Sequence, residues 1–216
     1  MIDLHTHSIF SDGELIPSEL VRRAEVIGYR AIAITDHADS SNLDFIVPRI
    51  VKVCEELSSK WKIKAIPGTE ITHVPPSIIS RLAKKARNLG AEIVVVHGET
   101  IVEPVPHGTN REALLSDIDI LAHPGLITEE DVEIAKERGI FLEITARAGH
   151  SLTNGHVAGL AARIGAGLVL NTDSHSPGDL ISLEKAKAVG MGAGLSEEEF
   201  DKTRKNSMDI LEKLED

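Results

Sequence analysis

The chain has 216 residues, 42% hydrophobic and 26% charged, which fits one globular domain and excludes disorder, collagen or a coiled coil as the main architecture. Its net charge is −11, from 34 acidic against 23 basic side chains, the reverse of the basic footprint expected of a free-standing nucleic-acid binder. No apolar run approaches the roughly 20 residues that cross a bilayer, and a single Cys54 excludes an internal disulfide or a cysteine-based zinc site. Met1 leads straight into Ile2-Asp3-Leu4 without the basic and apolar stretches of a signal peptide, so a cytoplasmic location is expected.

Strands and helices alternate along the chain. Ile2–His7 reads as a short strand. Leu20, Val21, Ala24 and Ile27 have helical spacing, predicting a helix over Ser18–Ile27 that Gly28 ends. Arg30–Thr35 is a second apolar strand, and a helix follows from about Pro48 to Leu57 with the proline in its first turn. Ile63–Pro67 is a third strand running into Gly68-Thr69-Glu70, followed by a helix over Ser77–Leu89. Ala91–Val96 is a fourth, fully apolar strand. A short helix near Asn110–Leu115 precedes a fifth strand at Asp119–Ala122. Thr128 and Asp131 form a capping-box pattern for a helix that Gly139 stops. Phe141–Thr145 is the sixth strand, Gly155–Ile164 a helix of small residues and Gly167–Asn171 the seventh strand. The remainder is helical, with Ser196 and Glu199 as a further capping box. Seven strands alternating with helices predict one parallel α/β domain over residues 1–216, with the helices of 179–216 packing on it. An open sheet and a closed barrel both accommodate this alternation.

The polar residues favour the barrel. His5 and His7 share a face of the first strand because side chains two apart point the same way. Asp12 follows in a turn, His37 comes just after strand two and Glu70 just after strand three. His97 ends strand four, His123 ends strand five, and Asp173 and His175 follow strand seven. From His7 onward to His37, Glu70, His97, His123 and Asp173 the gaps are 30, 33, 27, 26 and 50 residues, so one unit, strand six, is skipped. The carboxyl ends of the strands in a parallel barrel face one rim, whereas an open sheet spreads them along a line. Six imidazoles and three carboxylates converging on one mouth suit Zn²⁺, Fe²⁺ or Mn²⁺, and nine donors exceed one ion and suit two or three.

In order and type, His5-x-His7, Ser11-Asp12-Gly13, Thr35-Asp36-His37, Gly68-x-Glu70, Val96-His97-Gly98, Ala122-His123-Pro124 and Asp173-x-His175 resemble the motifs of the PHP (polymerase and histidinol phosphatase) family. The resemblance runs over residues 5–175. It implies a distorted seven-stranded (βα)₇, TIM-like barrel holding a di- or trinuclear centre. It also implies that His5, His7, Glu70 and Asp173 hold one ion, that Glu70 bridges to a second held by His97 and His123, and that Asp12, His37 and His175 hold a third. Asp12 stands at a position that varies between His and Asp among family members.

Other polar residues have plainer readings. Asp36 reads as an acceptor orienting a ligand histidine or as a turn former, and Glu99 as a support for the ligands or a solvated acid. His73, His107, His150 and His156 read as loop or helix-end residues, although the Gly98–Asn110 connection has the length to overhang the mouth. Strand six ends toward Arg147, whose planar fork can grip a phosphate. Arg81, Lys84, Lys85 and Arg87 read as a solvated helix face, and Cys54 as core.

The resemblance implies a metal-dependent phosphoesterase in which a metal-activated hydroxide hydrolyses a small phosphomonoester, histidinol phosphate first among named candidates. A nucleotide or oligonucleotide phosphoesterase is the alternative enzyme. A non-catalytic barrel subunit like that of RNase P is the alternative of another class, and it expects lost ligands and a basic surface. Nucleic-acid and membrane partners are not expected, and oligomeric state is not legible.

Overall fold

Short apolar runs become strands because both of their faces can be covered, and here they form one parallel sheet. The computed structural model describes residues 1–215. Its strands are β1 (Ile2–Asp3), β2 (Ala31–Ile34), β3 (His37–Ala38), β4 (Lys64–Ile71), β5 (Ile93–His97), β6 (Ile120–Ala122), β7 (Phe141–Thr145) and β8 (Leu168–Asn171). They pair in parallel in the order β1-β2-β4-β5-β6-β7-β8, and the two-residue β3 adds to the edge of β4 beyond β2. The ends of the sheet meet. Thr6 bridges Ser174, the His7 amide donates to the Ser174 carbonyl at 2.8 Å, and the Asp173 amide donates to the His5 carbonyl at 3.0 Å. The result is a nearly closed, seven-stranded, TIM-like α/β barrel.

The helices are α1 (Pro17–Val26), α2 (Leu43–Ser58), α3 (Ile79–Asn88), α4 (Thr109–Leu114), α5 (Glu129–Arg138), α6 (Asn154–Ile164), α7 (Leu183–Gly192) and α8 (Glu197–Glu215). Alternation along β2 divides its side chains. Ala31 and Ala33 join the inner cluster with Leu4, Ile66, Val95 and Val169, while Ile32 and Ile34 pack outward against Leu20 of α1 and Ile50 of α2. Ile210 and Leu211 of α8 enter the inner cluster, and Asn206 donates to the Leu168 carbonyl at 2.7 Å, so α8 lies across the amino-terminal end of the barrel. No helix among the described residues is long and apolar enough to cross a membrane.

Most element boundaries follow the local signals. Thr128 Oγ1 accepts from the Asp131 amide at 3.2 Å, and Gly139 takes φ 68° at the other end of α5. Three boundaries that bear on the site differ from expectation. Strand β1 covers only Ile2–Asp3, and Thr6 is held by an isolated bridge to Ser174, so His5 and His7 follow the regular strand and do not lie within it. Helix α2 starts at Leu43, which places Pro48 inside it. Leu43, Ile46, Val47 and Ile50 form its buried stripe, and Pro48 lies on the exposed side, where the Asp44 carbonyl that loses an amide partner can meet water. Strand β4 runs through Glu70 to Ile71, so Glu70 sits in the wall of the barrel and not in the loop after it.

Gly125 takes φ 64° in the turn after His123-Pro124, and a Cβ there would collide with the carbonyl oxygen of Glu99. Gly125→Ala is therefore expected to lower unfolding free energy by about 2–4 kcal/mol, read as a reduced urea midpoint.

Candidate metal centre

Parallel strands present all their carboxyl ends at one rim, and the described residues carry that rim's chemistry there. Thr6 turns to the wall, its hydroxyl donating to the Ala33 carbonyl at 2.6 Å, which leaves His5 and His7 facing the mouth with their Nε2 atoms 3.1 Å apart. Glu70 is the hub. Its carboxylate lies 3.4 Å from His5 Nε2, 3.7 Å from His7 Nε2, 2.6 Å from His37 Nδ1 and 3.7 Å from His123 Nε2. Asp173 lies 3.2 Å from His7 Nε2 and 3.8 Å from both His5 and His123. Asp12 sits outermost, 3.4 Å from His37 and 3.2 Å from His175. His97 packs edge-on to His123, with ring centroids 4.4 Å apart. The nine residues thus form one continuous cluster.

The donor atoms fall into tight groups. His5, His7 and Glu70 form one, His5, His123 and Asp173 another, and His7, Asp12, His37 and His175 a third. His97 and His123 group with His150, and His97 also groups with His73 and Glu103. His73, in the loop after β4, and His150, at the start of the short helix after β7, are loop and helix-end residues as expected, but both stand at the mouth, together with Glu103, which no sequence pattern singles out. The long 98–110 connection does reach over the rim. His107 and His156 stay outside: His107 is exposed beside Glu99, and His156 Nε2 donates to the Ile127 carbonyl at 2.8 Å.

Burial and mutual proximity set the electrostatics. Burial opposes ionisation of Glu70, but the charges of His5 and His37 outweigh it and hold its pKa well below the usual carboxylate range. Burial and the neighbouring His37 and His5 push His7 well below an ordinary histidine, while burial and His97 do the same to His123. Burial resists protonation of His5 and His37, yet the carboxylates around them prevail, Glu143 and Glu70 at His5 and Glu70 and Asp12 at His37, which rises to about 10. Burial raises Asp173 to about 7.

Several features fit this cluster to divalent cations. Buried polar atoms normally find partners, yet His7 Nδ1, His123 Nδ1 and Glu70 Oε1 have none, three of only four such buried side-chain atoms among the described residues. The three non-glycine residues with positive φ among the described residues are His73 (52°), His123 (27°) and Asp173 (52°), all at this rim. Backbone strain of this kind persists where the surroundings impose it, and it clusters at functional sites. The donors are imidazole and carboxylate only, the set suited to Zn²⁺, Mn²⁺ or Fe²⁺. Cys54 is buried in α2 with its thiol pKa pushed up by burial, so it offers neither ligand nor nucleophile.

Beneath the donors lies a supporting layer that sequence reading only partly identified. Glu143, in the middle of β7, accepts from His5 Nδ1 at 2.8 Å, from Asn171 Nδ2 at 2.9 Å and from the His123 amide at 3.2 Å. The signal available for it is one acid inside an otherwise apolar buried strand. Asp36 accepts from the Ser8 amide, the Ser8 hydroxyl and the Ser11 hydroxyl, each at 2.7 Å, so it shapes the turn that carries Asp12. Glu99 accepts from the amides of Gly108 and Asn110 and organises the overhanging loop. Arg147 lies 3.5 Å from Asp179, which accepts from the His175 amide at 3.0 Å and ties Arg147 to the His175 segment.

Glu143→Gln keeps the shape but removes the charge behind His5, so divalent-ion affinity is expected to fall about 10–100-fold, measured by calorimetric titration. Proton competition gives a second expectation. Asp173 is protonated below about 7 and His37 up to about 10 in the metal-free protein, and ligation requires both deprotonated. Ion affinity should therefore weaken from pH 8 to pH 6, with protons released on loading at pH 8, read in buffers of different ionisation enthalpy. Affinity that strengthens on acidification would contradict the assignment.

Comparison with known proteins agrees with this architecture. The chain matches the PHP domain over residues 3–99. It is 57% identical over 203 residues to an uncharacterized protein of Methanocaldococcus jannaschii, covering 93% of each chain. Among solved structures it resembles histidinol phosphate phosphatase from Lactococcus lactis subsp. lactis, solved with zinc, L-histidinol and phosphate, at a TM-score of 0.64 and 20% identity over 90% of this chain and 94% of that one. A chain of an archaeal ribonuclease P solved with mature tRNA is similar at a TM-score of 0.75 and 17% identity, over 98% of this chain and 91% of that one. With the barrel and the ordered motifs at its rim, the match identifies this chain as a member of the PHP domain family.

Proposed function

We propose that this protein is a metal-dependent phosphoesterase that hydrolyses a small phosphomonoester. The observation that carries the proposal is a buried cluster of nine imidazole and carboxylate residues at one rim, with Glu70 Oε1 left unpartnered at its centre. Two or three divalent ions, Zn²⁺, Mn²⁺ or Fe²⁺, would supply Lewis acidity to phosphoryl oxygens and acidify a water for attack on phosphorus. His5, His7, Glu70 and Asp173 would hold the deepest ion, Glu70 with His97 and His123 the second, and Asp12, His37 and His175 the outermost.

The chain's other residues prepare that chemistry. Glu143 fixes the His5 ring, and Asp36 fixes the turn that brings Asp12 to the outer histidines. Arg147, half-buried and held beside the His175 segment by Asp179, is the residue to grip a phosphate by two parallel N–H groups. A nucleophilic serine or cysteine plays no part in this reading, which is direct hydrolysis. Loaded with three divalent ions, the mouth would stay net positive toward a phosphate dianion, even with Glu143 behind His5 and Glu103 at the lip beside the three acids among the nine donors. Histidinol phosphate is the first substrate to try, supported by the likeness to the Lactococcus phosphatase. The ribonuclease P neighbour raises a non-catalytic reading, against which stand the full donor set and the acidic charge.

Metal-loaded protein is to be screened against histidinol phosphate, other phosphomonoesters, nucleotides and oligonucleotides. Turnover of a small monoester is expected, falling more than about 100-fold in Asp173→Ala or His97→Ala, beyond the effect of losing an outer partner. Arg147→Ala should raise KM for the phosphate ester more than it lowers kcat. Full turnover by Asp173→Ala, or tight RNA binding without metal uptake, would overturn the proposal.

A further inference from the structure

Glu103 lies outside the nine-residue pattern but reaches the same lip from the loop between β5 and α4. Its Oε2 is 2.9 Å from His73 Nε2 and 3.1 Å from His97 Nε2, and its Oε1 is 3.5 Å from His150 Nε2. The three imidazoles come from different parts of the barrel: His73 after β4, His97 at the end of β5 and His150 after β7. Each ring is set in place. His73 holds a left-handed φ of 52°, and His150 is buried with Nδ1 2.8 Å from Thr100 Oγ1.

His97 is the informative member. Its Nδ1 lies 3.1 Å from the Gly98 carbonyl oxygen, which can only accept, so Nδ1 carries hydrogen and Nε2 is left to face Glu103. An imidazole lone pair and a carboxylate oxygen at that separation repel unless a proton or a cation lies between them. Two donors each about 2.0–2.1 Å from one ion stand about 2.8–3.0 Å apart at the right angles of octahedral coordination and about 3.3–3.4 Å apart in tetrahedral coordination. The His73–Glu103 separation of 2.9 Å matches the octahedral spacing, and the His97–Glu103 separation of 3.1 Å lies between the octahedral and tetrahedral values.

We propose that His73 and Glu103 join His97 at the lip as further ligands of the one divalent cation that His97 Nε2 holds, the second ion of the proposed centre, with His150 closing the group from behind. The loop over the mouth thereby adds a carboxylate ligand to a centre otherwise built from strand ends. The inference rests on the reading of His97 as a metal ligand. Because the side chains of His73 and Glu103 are 37% and 39% exposed, this ion meets solvent and is the most readily exchanged.

The test is titration of chelator-stripped protein with Zn²⁺ and with Mn²⁺, by calorimetry and by metal analysis of the washed protein. Wild type is compared with Glu103→Gln, His73→Asn and Asp173→Asn. Asparagine tolerates the left-handed backbone at position 73, and circular-dichroism melting of the metal-free variants checks their fold. Glu103→Gln and His73→Asn should each lose one ion, or weaken the weakest step at least about tenfold, leaving the tighter steps intact. Asp173→Asn should instead weaken a tight step. The same ion number and affinities in either lip variant would overturn the lip ligands and leave the deep centre standing. Wild-type protein that takes up neither metal would overturn both.

Discussion

A carboxylate without access to water governs this structure. Glu70 lies in the wall of the barrel, and burying a charge is tolerated only when it is paired and hydrogen-bonded. Imidazoles from just after β1, from β3 and from just after β6 surround it. They cannot all carry protons, because His5 and His7 face each other at 3.1 Å and like charges at that distance disfavour one another. Protons alone therefore compensate the site incompletely, and Glu70 Oε1 stays unpartnered. Cations resolve both difficulties together, supplying positive charge while using imidazole lone pairs as donors.

The fold makes such a concentration attainable. Each parallel strand delivers its last residues to the same rim, and closure turns a row of seven ends into a ring. The apolar inner cluster of Leu4, Ile66, Val95 and Val169 below the ring keeps water from entering beneath it. Glu143 and Asn171, side by side on β7 and β8, join the inner layer to the donors, so the orientation of His5 is set two strands away from its own.

The architecture and the nine rim residues were legible because both repeat. A strand and helix recur about every 30 residues, and each unit except the sixth ends in a residue able to bind metal. What lay off that rhythm was harder to see. Glu143 stands within a strand, where apolar neighbours on either side disguise its role. Glu103, His73 and His150 come from loops, whose course over the mouth is decided by contacts such as Thr100 to His150 and Glu99 to the start of α4. The start of α2 was obscured by Pro48, a residue that usually opens a helix and here rides the solvent side of one whose buried stripe begins earlier.

The seam between β1 and β8 joins the two ends of the sheet through a single bridge and a few backbone bonds, with His5 and His7 on one side and Asp173 and His175 on the other. During synthesis on the ribosome, the first strand pairs early with β2 but waits for more than 160 further residues before its partner across the seam, β8, emerges. Contacts so distant along the chain carry the largest loop-closure entropy. Ions held by both margins, as proposed, would act as a clasp, coupling the last act of folding to the metal supply of the cell.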